Sequence, residues 1–119
     1  MMRTVVTGMA VNTPLGDTPQ ALYEALIAGR SALTRWRGID TSAILPQVGA
    51  DLSGYDPAPK LAQLSGVLPP DMMKRLRRVM ALSPFSTRLT VLCAADAWAH
   101  ARLADVPAEA IAIVTGGHN

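Results

Sequence analysis

The stretch Ile111 to Asn119, IAIVTGGHN, decides how the rest of the chain is read. Ile111 to Thr115 is a short run of β-prone or small apolar residues, which reads as a buried strand, and Gly116-Gly117 reads as the turn leading into a next element. No next element follows in this sequence. A strand that reaches a glycine turn and has nothing beyond it is expected to find its sheet partners elsewhere. The ending therefore bears on both fold and function.

Working back from that strand, DVPAEA connects it to a long helical stretch. Phe85, Leu89, Leu92, Ala95, Ala99 and Leu103 trace one face of a helix of about five turns, and its many alanines suit close packing. Ser83-Pro84 ahead of it reads as an N-cap followed by a proline at the first helical position. Before that, Pro70-Asp71 opens a helix over MMKRLRRVMAL. Its apolar residues Met72, Leu76, Val79 and Met80 recur at helical spacing, while Lys74, Arg75, Arg77 and Arg78 occupy the outward positions. Residues 31 to 70 are rich in proline and glycine, with one strand-like piece at Gln47 to Leu52, and read as a mostly irregular surface excursion. Thr18-Pro19 caps a helix over 19 to 28 that stops at Gly29. Thr4 to Thr7 is a β-branched run ended by Gly8, giving a strand and then the turn-rich VNTPLG. The order strand, helix, excursion, helix, helix, strand predicts an α/β layer architecture in a single partial domain over 1–119.

Composition narrows the function. At 119 residues, 50% hydrophobic and 17% charged, the chain is too apolar to be disordered. No window approaches the ~20 apolar residues of a membrane span, and the N-terminus lacks the pattern of a secretory signal, so a cytoplasmic protein without membrane partners is expected. The single cysteine, Cys93, rules out an internal disulfide and a multi-cysteine metal site. A net charge of +2 and 4% aromatics argue against a general nucleic-acid surface.

The segments RTVVTGMAVNTPLG, ALIAGRSAL, QVGADLSGYDP, RRVMALSPFSTRLTVLCAADAWAHARL and IAIVTGG together resemble the opening of a β-ketoacyl synthase. The most specific parts are Thr7-Gly8-Met9, Pro14-Leu15-Gly16 and Gly29-Arg30-Ser31. The resemblance implies a layered α/β thiolase-like fold, incomplete in this chain and completed by a C-terminal portion in another chain. It implies acyl transfer onto a cysteine thiolate, then decarboxylative Claisen condensation of a malonyl group assisted by two histidines, in fatty acid or polyketide biosynthesis. All three catalytic positions fall beyond Asn119, so no catalytic residue is expected in this chain. No cofactor and no metal are implied, because such chemistry uses side chains and backbone amides.

Cys93, mid-helix between Leu92 and Ala94, is read as an inert core thiol rather than a nucleophile, and His100 as a surface histidine well placed at a helix C-terminus. The family's acyl-carrier docking surface lies partly just before the alanine-rich helix, where Lys74, Arg75, Arg77 and Arg78 stand. Acyl carrier proteins are acidic, and clustered cations would steer their approach; the plainer reading is a solvated helix face. Gly117 aligns with the wall of the acyl pocket, where glycine leaves room for a longer or bulkier acyl chain, or serves a tight turn.

Asn119 is a candidate cleavage site. The expected partners are thus the C-terminal portion of the same ketosynthase-like protein, encoded separately or released by cleavage after Asn119, and an acyl carrier protein, with complete units forming a homodimer or heterodimer. Two alternatives stay open. One is a non-catalytic subunit of chain-length-factor type. The other is a self-processed acyltransferase or hydrolase on the same fold, using a new N-terminal nucleophile exposed after Asn119.

Overall fold

The computed structural model describes residues 3 to 116. In chain order it contains α1 (Pro19–Ile27), β1 (Leu33–Arg35), β2 (Val48–Ala50), α2 (Ala58–Ser65), α3 (Pro70–Leu82) and α4 (Phe85–Ala101). Two single-turn 3-10 helices follow at Leu103–Asp105 and Ala108–Ala110. The start of α1 follows its local signals: Thr18 is extended, its hydroxyl oxygen accepts from the Ala21 amide at 3.1 Å, and proline occupies the first turn. Gly29, at φ +66°, ends the helix in the left-handed region that glycine enters freely.

Helices α2, α3 and α4 pack around one core of Leu64, Leu68, Met73, Leu76, Met80, Leu92 and Ala95. On α3 the buried residues are Met73, Leu76 and Met80, three and four positions apart, while all four cations remain outside. Met73 takes the central place expected of Met72, which is only partly buried. Trp98, Val91 and Leu61 close the edges of the cluster.

The excursion over 31–70 is irregular over most of its length, as expected, but it also holds the antiparallel pair β1–β2, with Leu33 opposite Ala50 and Arg35 opposite Val48, and then the whole of α2, a helix not expected there. Prolines that read as loop markers sit in the first turn of α2, where no amide is needed. Ser83 does not cap α4. It closes α3, donating its amide to the Val79 carbonyl at 3.0 Å, and Pro84 precedes α4 without a side-chain cap.

Thr4 to Thr7 and Ile111 to Thr115 form no ladder among the described residues. A strand is defined by hydrogen bonds to a neighbour, and here Val6 is 80% and Val114 95% exposed. The described residues thus present a helical layer with a hairpin, and two apolar segments lie outside the core.

The surface area is consistent with that openness. The chain exposes 9275 Å², against roughly 6,200 Å² for a monomeric folded chain of its mass. Its radius of gyration is 16.5 Å, where about 13.5 Å is usual for a compact domain of this length.

Candidate functional site: the basic face of α3

Asp71, Lys74, Arg75 and Arg78 lie at helical spacing on α3 and line one open concavity of about 320 Å³. Lys74 and Arg77 also border a second groove of about 360 Å³, floored by Leu68, Pro70 and Met73 where α2 meets α3. The four basic side chains expected at a docking surface are therefore on one exposed helix, divided between two grooves that share Lys74. None of them forms an ion pair among the described residues. Arg37, by contrast, is turned to Asp51 on the neighbouring hairpin, with Nε 3.9 Å from the carboxylate.

Behind this face lies a polar cluster that no sequence pattern marks. Lys60 of α2 is only 3% exposed. Its ammonium donates to Asp96 of α4 at 3.1 Å and lies 4.0 Å from Asp17. The Tyr55 hydroxyl is within 3.3 Å of Asp17 and 3.5 Å of the Asn12 side-chain oxygen, and the Asn12 amide donates to the Leu89 carbonyl at 3.1 Å. Burial, reinforced by the charge of Asp17, pushes the Tyr55 hydroxyl up to about 12, so it stays a donor. The cluster ties the 12–17 turn, α2 and α4 together. A lysine in a proline-flanked segment carries no sign of burial; only the fold brings two distant carboxylates to it.

Cys93 lies within α4, half-buried and free. Burial first, and Asp96 second, push its thiol up, against a weaker opposite pull from Lys60. That is the reverse of what a nucleophile requires. His100 is exposed, yet its ring nitrogen contacts the backbone of Met9. Gly117 and Asn119, the expected pocket wall and cleavage site, lie outside the described residues. No group of side chains suited to hold a metal ion occurs among the described residues, and no helix there is long and apolar enough to cross a membrane.

Across residues 1–119 the chain matches the family profile described as Beta-ketoacyl synthase, N-terminal domain. The chain belongs to the β-ketoacyl synthase family. Membership in this synthase family carries a thiolase-like fold, of which the described residues show a part. Among curated relatives, the chain is similar to the 3-oxoacyl-(acyl-carrier-protein) synthase 2 of Coxiella burnetii, 36% identical over 56 residues, which is 47% of this chain and 14% of that protein. It is similar also to the chloroplastic 3-oxoacyl-(acyl-carrier-protein) synthase II of Arabidopsis thaliana, 30% identical over 78 residues, 66% of this chain and 13% of that one. The synthase 2 of Vibrio cholerae is 33% identical over 54 residues, 45% of this chain and 13% of that one. The chain thus matches only a small part of the length of each relative. No solved structure gives a significant match.

Proposed function

We infer that this ketosynthase-family chain is the N-terminal portion of a β-ketoacyl-acyl-carrier-protein synthase-like enzyme, and that its own contribution is to receive the acyl carrier protein on α3. The observation that carries this reading is the set of four outward cations, Lys74, Arg75, Arg77 and Arg78, with no intrachain acid paired to them among the described residues. An acidic carrier would be steered to such a face and oriented by it. The apolar floor at Leu68 and Met73 offers a contact that water does not compete for.

The condensing residues belong to the companion C-terminal portion. The surface excess of the chain supports such a companion: about 3,000 Å² beyond the expectation for a closed domain is more than the roughly 800 Å² per partner of an ordinary interface. Val5, Val6, Ile113 and Val114 are the apolar residues for it to cover. The work of the whole enzyme is decarboxylative Claisen condensation of carrier-bound acyl groups.

The test is association of acidic acyl carrier protein with the complete assembly, followed by stopped-flow at several ionic strengths. Replacing Lys74, Arg75, Arg77 and Arg78 together by Gln should slow association at least tenfold at low salt and flatten its salt dependence. Dissociation should change less. An unchanged association rate would remove α3 from the docking surface.

A further inference from the structure

The groove between α2 and α3 does not end at Leu68. The same leucine lies on the wall of a second hollow of about 220 Å³, lined also by Val67, Pro69, Trp98, Arg102 and Leu103, where the connection from α2 to α3 meets the end of α4. One apolar path therefore runs from Met73 across Leu68 to Trp98, with Lys74 and Arg77 at one end and Arg102 at the other. The indole N–H of Trp98 is buried and has no acceptor among the described residues. This wall thus lacks a polar contact that buried donors ordinarily have.

Arg102 is the unexpected residue here. Among the described residues it is the one non-glycine with positive φ, at φ 56° and ψ 46°. At the end of a helix that conformation favours glycine, and a side chain there costs stability. Outliers of this kind gather where a side chain is needed for contact. Arg102 forms no ion pair among the described residues, although Asp105 stands on the same wall.

We propose that the footprint of the acyl carrier protein extends from α3 over Leu68 into this hollow. Arg102 holds a carboxylate of the acidic carrier, and Val67, Leu68 and Trp98 receive an apolar side chain next to that carboxylate. The extension rests on the carrier-docking reading of α3. An amphipathic, acidic helix matches an apolar floor with cations at both ends. The cations of α3 alone steer such a partner; a second positive point at Arg102 fixes its rotation on the surface.

The test uses a purified acidic acyl carrier protein and the complete assembly, with carrier affinity and urea midpoint measured on the same variants. Arg102→Gly should move the two in opposite directions: the midpoint rises, and affinity falls about threefold to fivefold, as for one exposed ion pair. An unchanged affinity would overturn the extension. Val67 is 64% exposed, so replacing it spares the core. Val67→Asp should weaken carrier binding and Val67→Lys should tighten it, because the partner is acidic; equal affinities would likewise overturn it. With p-benzoylphenylalanine in place of Val67, irradiation should cross-link the carrier. Cross-linking to the companion C-terminal portion instead would assign the hollow to the completed fold. If the extension alone fails, the Gln variant of Lys74, Arg75, Arg77 and Arg78 still associates slowly. If that variant associates normally, the docking face falls and the extension with it.

Discussion

Replacing Asp96 by Ala tests how the polar cluster behind α3 is held. The Lys60 side chain is 3% exposed and its Nζ reaches Asp96 at 3.1 Å, while Asp17, the other acid within 4.0 Å among the described residues, is 4.0 Å away. The Asp96 side chain is 24% and the Asp17 side chain 36% exposed, so both acids keep contact with water and the ammonium does not. Removing one partner of a buried pair costs about 3–5 kcal/mol, because an uncompensated charge stays behind. Asp17 retains part of the attraction, which places Asp96→Ala near the lower end, about 3 kcal/mol. Lys60→Met keeps most of the buried stem, and the carboxylates it abandons can hydrate, so its cost should be nearer 1 kcal/mol. Lys60→Met combined with Asp96→Ala should recover about 2 kcal/mol relative to Asp96→Ala alone. Urea unfolding of the intact protein, followed by far-ultraviolet circular dichroism, gives all four corners of this cycle. If Asp96→Ala costs under about 1 kcal/mol and the two changes simply add, the lysine is held by its hydrocarbon stem and the electrostatic account is wrong.

Three further outcomes follow from local geometry. Gly8→Ala should destabilise by about 2 kcal/mol, because the new methyl group meets backbone atoms of Ala97 and Ala101 that cannot swing aside; a neutral result in the same urea assay would mean that Arg3 to Ala10 does not lie on α4. Arg102 occupies the left-handed region at φ 56° and ψ 46° at the end of α4, so Arg102→Gly should stabilise by up to about 1 kcal/mol, read as a raised urea midpoint. Asp51 is held down at about 2, first by hydrogen bonds from Ser53 and then by the Arg37 amide. A depressed carboxylate contributes stability above its unfolded value, near 3.9, that is lost as pH falls through its folded value, here toward 2. The β1–β2 hairpin should therefore loosen across that acid window, as seen in the fluorescence of Trp36, and Asp51→Asn should abolish this acid step.

What could be read before folding was whatever depends on near neighbours along the chain. The Thr18-Pro19 cap, the glycine stop at Gly29, the inward stripe of α3 with its outward cations, and the extent of α4 all rest on contacts a few residues apart, where periodicity and cap chemistry are sufficient. The same holds for the family motifs, and for the four residues of the proposed docking face, whose exposure follows from helical spacing once Met73, Leu76 and Met80 point inward. Helix α2 was hidden because proline marks loops and helix starts alike, and the burial of Leu64 against α4 decides between them.

Tertiary structure alone decided the rest. Lys60 meets Asp96 across 36 positions, Asn12 meets Leu89 across 77 and Met9 meets His100 across 91. No local pattern encodes such pairings, because each arises from helices packing around a shared core. A lysine becomes a buried anchor only when the packed helices bring a carboxylate within hydrogen-bond reach of it.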